Sequence, residues 1–438
     1  MHPIFAGMTI ESLYETYLRH PQVLTDTRQA VPGCLFFALK GPNHNANRFL
    51  KEAFEAGAAY AVTDEDPGFE DPRVIRVDDV LTTLQSLALH HRMQFDIPVV
   101  AITGSNGKTT TKELVHAVLS SKYRTHTTKG NLNNHIGIPL TLLAMPMDTQ
   151  IAVIEMGANH QKEIEGYCRY VRPTHGLITN CGKAHLEGFG GIEGVRRGKG
   201  ELYDFLRTGG GTAFVMGDYD YLRDMCKGIP NLIMYGTSHG DVTGRALSSE
   251  PYLHVKLSGE TGREVHTRLV GDYNLPNILA AVAVGRHFGV PEDGIVAALE
   301  NYTPSNNRSQ MAESGGNRVI LDAYNANPNS MRAAIENLAA QKHPRKMAFL
   351  GAMMELGEDS LREHRELVSL LERQTLDTVV LVGGDFGRTD HRYLYFNDSA
   401  SAAEWVGQNP PLDALILVKG SRSMQMEKVA EAIFKSHG

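Results

Sequence analysis

Residues 97–112 read Ile97-Pro98-Val99-Val100-Ala101-Ile102-Thr103-Gly104-Ser105-Asn106-Gly107-Lys108-Thr109-Thr110-Thr111-Lys112. The apolar run predicts a buried strand, the glycines a tight turn, and the polar run after them the start of a helix. Gly104 and Gly107 let the backbone approach a polyphosphate closely, with N–H groups pointing inward at a helix N-terminus. Lys108 can reach the terminal phosphates as a point charge, and the Thr109 hydroxyl suits a magnesium ion. Strict Walker spacing would put glycine at position 102, where this chain has Ile102. The loop is a shortened P-loop. Gly104, Ser105, Asn106, Gly107, Lys108, Thr109 and Thr110 are expected to hold a nucleoside triphosphate.

Length and charge bound the rest. A chain of 438 residues suggests about three domains. With 42% hydrophobic and 21% charged residues, the composition is that of an ordinary soluble globular protein. The net charge of −7 argues against nonspecific nucleic-acid binding, which needs many neutralised phosphates. Cys34, Cys168, Cys181 and Cys226 form no CxxC pair, as expected in a reducing compartment. Met1–Gly7 lacks the basic start and long apolar stretch of an export signal. No uncharged apolar run approaches membrane-spanning length. A cytoplasmic protein with no membrane span is expected.

The spacing of apolar residues divides the chain into blocks 1–96, 97–303 and 304–438. The first mixes short strands, Gly33–Leu39 and Ala59–Thr63, with a helical pattern over Phe49–Ala56. The second alternates strands Val99–Thr103, Ile151–Met156, Gly176–Asn180 and Thr212–Val215 with helical patterns after the first three. That alternation predicts an α/β fold with a mostly parallel sheet. After the turn-rich linker Tyr302-Thr303-Pro304-Ser305-Asn306-Asn307, a third alternation predicts strands Arg318–Tyr324, Met347–Gly351, Thr378–Val382 and Ala414–Val418.

Two segments of the central block carry further chemistry. Glu155 ends a strand of the predicted parallel sheet, where such sheets bind ligands, and can face a magnesium ion held by Thr109. After the third strand comes Gly182-Lys183-Ala184-His185-Leu186-Glu187, and then a helix with Gly198-Lys199-Gly200-Glu201. A cationic lysine cannot ligate a metal. Only a carbamate, formed with carbon dioxide, would turn Lys199 into an oxygen ligand.

Thr103–Thr109, Glu155-Met156-Gly157-Ala158-Asn159-His160, Ala184-His185-Leu186-Glu187 and Lys199 occur in the order found in Mur ligases, and the chain resembles that family. These are ATP-dependent amide-forming enzymes of peptidoglycan synthesis. Asp322-Ala323-Tyr324-Asn325-Ala326-Asn327-Pro328 and Val418-Lys419-Gly420-Ser421-Arg422-Ser423-Met424 are similar to the last-acting branch of the family, and Thr27-Arg28 with Pro32–Gly41 to its nucleotide-sugar domain.

The resemblance implies three α/β domains: a UDP-sugar domain, a central P-loop ATPase domain and a Rossmann-like C-terminal domain that brings the incoming dipeptide. It implies UDP-N-acetylmuramoyl tripeptide and D-alanyl-D-alanine as substrates, with an acyl phosphate between them. A monomer is expected, although the sequence leaves the oligomeric state open. The third peptide residue is left open as lysine or diaminopimelate. Lys108 would act with two magnesium ions, one on Thr109 and Glu155, the other on His185 and carbamylated Lys199. Adenine would lie near Asn274 and Asn277, although this chain has Tyr273 where the family more often has histidine. Arg308 and Asp322 would reach the γ-phosphate and the ribose. Thr27, Arg28, Asn133, Asn134, Asn325 and Asn327 would face the two substrates. The Asn325–Pro328 segment argues against the diamino-acid-adding enzyme and folylpolyglutamate synthase. Glu155, His185 and Lys199 together argue against a regulatory ATP-binding module.

Overall fold

The computed structural model describes residues 9–259, 262–305 and 308–436. Met1–Gly7 and the Asn306-Asn307 end of the linker lie outside these residues. The chain forms two compact units. One comprises the chain up to Ile102 with Tyr123–Ala158 and Lys162–Gly176; the other comprises Thr103–Lys122, Asn159–Gln161 and Leu177 onward.

The first unit opens with a four-stranded sheet in the order Val23–Leu24, Leu35–Phe37, Tyr60–Thr63, Val74–Arg76, parallel throughout. Phe36, Leu50, Ala53 and Ala61 share one core, each nearly inaccessible to water. The helical spacing read over Phe49–Ala56 corresponds to the helix Leu50–Glu55. A longer helix, Val80–Arg92, begins where the Asp79 carboxylate accepts from Thr82 N–H, satisfying one of the unpaired amides of its first turn. Val99–Thr103 then pairs in parallel with Ile151–Glu155, which pairs in parallel with Thr125–Thr127. The first two of these strands are buried at every residue. Strands covered on both faces need such unbroken apolar runs, and that is why they were readable.

In the second unit, Gly107 caps the helix Lys108–Ser120. Thr212–Met216, Asn231–Gly236 and Val242–Ser248 run parallel, and His254–Leu257 and Glu264–His266 extend them antiparallel. The apolar helix Leu275–His287 is buried along most of its length, with Pro276 in its first turn. Proline is tolerated there because that N–H has no intrahelical partner. The last part of the chain builds a six-stranded sheet in the order Gln310–Ser314, Asn317–Asp322, Leu415–Lys419, Lys346–Gly351, Thr378–Val382, Leu394–Phe396. Only the first pair is antiparallel. Val319, Phe349, Val380, Ile416 and Ile433 sit in its core, each contributing roughly 1.5–3 kcal/mol by leaving water.

All four cysteines are buried and unbridged. Among the described residues no helix is long and apolar enough to cross a membrane.

Candidate active site

The glycine loop is shaped by what lies behind it. Gly104 has φ 143°, and a Cβ there would stand 2.0 Å from Thr179 Oγ1. At Gly107, φ 79°, a Cβ would stand 2.6 Å from Asn277 Oδ1. Both positions demand glycine, for conformation and for space. Ser105 N–H donates to the Asn180 carbonyl at 2.9 Å, and Asn106 N–H to Asn180 Oδ1 at 3.0 Å. Thr179 Oγ1 donates to the Asn106 carbonyl at 2.6 Å. Ser105 Oγ donates to the Gly182 carbonyl at 3.0 Å and accepts from Gly182 N–H at 2.9 Å. Thr179, Asn180 and Gly182 follow the strand His175–Ile178 and hold the loop in shape. Their role was missed in the sequence; a Thr-Asn pair directly after an apolar strand was the available signal. Lys108 Nζ donates to the carbonyls of Gly104 at 2.7 Å and Ser105 at 3.1 Å, so its charge sits over the loop. Thr109 is buried in the first helical turn and Thr110 is half-buried.

Glu155 pairs in register with Ile102, two residues before Gly104, which sets its carboxylate at the loop end of the sheet. Its side chain is buried. Oε1 accepts from Asn133 Nδ2 at 2.7 Å, while Oε2 is buried with no hydrogen-bond partner among the described residues. A bare carboxylate oxygen in the interior is costly unless a cation meets it. Glu155 therefore fits a magnesium ligand. Asn134 Oδ1 accepts from the N–H groups of Ile136 and Gly137 at 3.1 and 2.9 Å, which turns the chain into the helix Gly137–Leu143.

Asn274 and Asn277 are both buried and linked. Thr111 Oγ1 donates to Asn277 Oδ1 at 3.0 Å, Asn277 Nδ2 to Asn274 Oδ1 at 2.8 Å, and Asn274 Nδ2 to the Val270 carbonyl at 2.9 Å. This chain ties the loop helix to the helix Leu275–His287. Beside it, the Tyr273 hydroxyl meets Ser309 Oγ at 3.0 Å, and burial pushes the phenol pKa up.

His185 has φ 52°, and its Nδ1 is hydrogen-bonded to Glu355 Oε2. That bond holds the Glu355 carboxyl below its ordinary pKa. Lys199 lies in the helix Ile192–Gly209, 1% exposed, with Nζ 4.9 Å from the centre of the Phe189 ring. Burial pushes the nearby Cys181 thiol up to about 12, against the opposing charges of Lys199 and Arg196. Among the described residues no cluster of three His, Cys, Asp or Glu side chains is arranged for a metal. The cation sites read from the sequence draw on threonine and lysine as well.

The last sheet gathers polar groups at its strand ends. Lys419, almost wholly buried, donates to Asp322 Oδ2 at 2.6 Å and to the Asn325 carbonyl at 3.1 Å. The Arg308 guanidinium lies 3.6 Å from the Tyr324 ring centre, and its Nε is buried without a partner among the described residues. Asn325 Oδ1 accepts from Ala326 N–H at 2.9 Å. Asn327 caps the helix Pro328–Ala340 through a reciprocal capping box with Ser330, and its Nδ2 donates to Asn106 Oδ1 at 2.7 Å. The carboxyl ends of parallel strands are where open α/β sheets bind ligands. In the first unit, Thr27 and Arg28 lie on a short turn, Thr27–Gln29. Arg28 pairs with Asp26 at 2.7 Å and is otherwise exposed.

A glycine loop between a buried parallel strand and a helix, with a basic and a hydroxyl residue at the helix start, defines a P-loop α/β protein. Comparison with known proteins narrows this. Residues 102–285 match the Mur ligase middle domain and residues 307–422 the Mur ligase glutamate ligase domain. The chain belongs to the Mur ligase family. It is 36% identical to the UDP-N-acetylmuramoyl-tripeptide–D-alanyl-D-alanine ligase of Bacillus subtilis, over 98% of this chain and 96% of that one. It superposes on MurF from Acinetobacter baumannii with TM-score 0.87 at 31% identity, covering 98% of each chain. With MurF ligase from Thermotoga maritima in complex with ADP, the TM-score is 0.86 at 27% identity, over 96% of this chain and 98% of that one. The three-domain α/β fold class expected from the sequence is that of these enzymes.

Proposed function

We propose that this chain uses ATP to join D-alanyl-D-alanine to UDP-N-acetylmuramoyl tripeptide, the step that completes a peptidoglycan precursor. A free carboxylate repels an incoming amine, so it must first acquire a leaving group. A carboxylate oxygen of the tripeptide attacks the γ-phosphorus of ATP, and ADP departs, leaving an acyl phosphate. The dipeptide nitrogen then attacks the acyl carbon; the C–N bond forms, a proton leaves the nitrogen, and inorganic phosphate carries away the C–O electrons. Catalysis of the first step is mainly positioning and charge neutralisation.

Residues 97–303 bind ATP, with Gly104–Thr110 around the phosphates and Lys108 neutralising charge on the transferred group. Adenine lies against Asn274 and Asn277, and Arg308 and Asp322 serve the γ-phosphate and ribose. Thr109 and Glu155 would hold one magnesium ion, and His185 with carbamylated Lys199 a second. Bound magnesium supplies charge stabilisation for the phosphoryl oxygens. Residues 1–96, with Thr27 and Arg28, take the nucleotide sugar, assisted by Asn133 and Asn134. Residues 304–438, with Asn325 and Asn327, bring the dipeptide. Nucleotide-linked substrates place the reaction in the cytoplasm.

The observation that carries this reading is the clamped glycine loop, in a chain similar to enzymes of this name along nearly its whole length. The test is phosphate release from ATP with UDP-N-acetylmuramoyl tripeptide and a panel of amines. D-alanyl-D-alanine should support turnover. Activity with a diamino acid or glutamate, and none with the dipeptide, would overturn the assignment.

A further inference from the structure

His185 is held by a residue that the sequence did not connect to it. Glu355 lies 170 positions further on, and its Oε2 meets His185 Nδ1. Both residues have left-handed backbones, φ 52° and 62°, a conformation that non-glycine residues avoid unless their surroundings enforce it. The surroundings do so. Lys183 Nζ reaches the buried Glu363 carboxylate at 2.6 Å, and Lys183 N–H donates to Asn329 Oδ1 at 2.9 Å. A Cβ on Gly357 would lie 3.4 Å from Glu187 Cβ. The 183–187 loop is thus pinned against the 355–363 segment on both sides of His185.

The Glu355 side chain is 55% exposed, so a stabilising ion pair is a weak reason for the contact. Its geometric consequence is stronger. A carboxylate only accepts hydrogen bonds when ionised, so the proton of a neutral His185 must sit on Nδ1. The Nε2 lone pair is then free of a proton and fixed in direction.

We infer that Glu355 is a positioning residue for His185: it fixes the Nδ1–H tautomer and aims Nε2 at a divalent cation. Outer-shell carboxylates do this for metal-binding histidines generally, and their loss weakens metal binding on the order of 10–100-fold. The inference rests on the proposed role of His185 as a magnesium ligand, and the experiment separates the two.

The full chain, labelled with nitrogen-15 at histidine, is examined by NMR without metal, with His185→Ala identifying the resonance. The wild type should show Nδ1–H at His185. Glu355→Ala should shift it toward the Nε2–H form, and Glu355→Gln, whose amide oxygen still accepts, should keep Nδ1–H. Binding of Mn2+ in the presence of ADP, followed by electron paramagnetic resonance, should weaken about tenfold or more in Glu355→Ala and less in Glu355→Gln. An unchanged tautomer in Glu355→Ala overturns the inference. So does a changed tautomer with unchanged Mn2+ affinity, if His185→Ala does lose Mn2+. If His185→Ala binds Mn2+ as the wild type does, His185 is no ligand, and the inference falls with that reading.

Discussion

Asn327 Nδ2 donates to Asn106 Oδ1 at 2.7 Å, joining a helix cap of the C-terminal block to the phosphate loop across 221 positions of sequence. The backbone of Asn106 is already committed to Thr179 and Asn180, so its side chain is available for this contact. The residue expected to face the dipeptide thus touches the loop expected to hold ATP.

That bond should be measurable as coupling. Asn327→Ser keeps an oxygen to cap the helix but loses the amide donor, and Asn106→Ala removes the acceptor. In a double-mutant cycle on kcat/KM, the two should be non-additive by about 1 kcal/mol, the usual worth of one hydrogen bond. The KM for the dipeptide should respond more than the KM for ATP in Asn327→Ser. Strict additivity would show that the contact carries no coupling.

Lys108→Ala should abolish turnover and leave the fold intact. Its ammonium donates to the loop carbonyls of Gly104 and Ser105, and removing a half-buried side chain leaves a small cavity at most. Activity and thermal unfolding are measured side by side. An active variant would remove the phosphate role, and an unfolded one would make the residue structural.

His364 gives a pH dependence of stability. It is fully buried; Nε2 accepts from Met353 N–H at 3.1 Å and Nδ1 donates to the Ser360 carbonyl at 2.7 Å. The bond from Met353 requires Nε2 to be unprotonated, whereas Nδ1 donates to Ser360 in either state; burial outweighs that bond and lowers the pKa below the ordinary value. The unfolded chain therefore takes up the proton first as pH falls. Its contribution is fully present above pH about 6.5 and is lost as pH drops through the lowered folded value. Urea midpoints at pH 7.5 and 5.5 should differ less in His364→Gln than in the wild type. An equal difference would assign the acid sensitivity to other groups.

What could be read from the sequence follows from where each signal resides. Val99–Thr103 and Ile151–Glu155 are buried throughout, so their apolar runs are unbroken and the parallel sheet was legible. Asn231–Gly236 starts exposed and Val242–Ser248 alternates irregularly between buried and exposed residues. No local period marked them. Thr125–Thr127 is three half-buried residues recognised only by its partner strand. The same divide runs through the site. Glu155 could be found from its place at a strand end, and Lys108 from its loop. Thr179, Glu355 and Lys419 act through contacts 73, 170 and 97 positions away, and no spacing in the sequence encodes those.

Lys199 carries the sharpest test of the proposed chemistry. It sits almost wholly buried on the helix Ile192–Gly209, where an ammonium would repel a magnesium ion held by His185. A carbamate instead offers anionic oxygens suited to a hard cation. Lys199→Ala should lose most activity, with partial recovery when a small carboxylate in the buffer fills the vacated space. Lys199→Arg should stay inactive, because arginine keeps its charge and does not form the carbamate. Carbon-13 NMR after labelling with bicarbonate should show the carbamate in the wild type and not in either variant. An unmodified Lys199 in active, magnesium-loaded enzyme, or normal turnover by Lys199→Arg, would eliminate the carbamate from the mechanism.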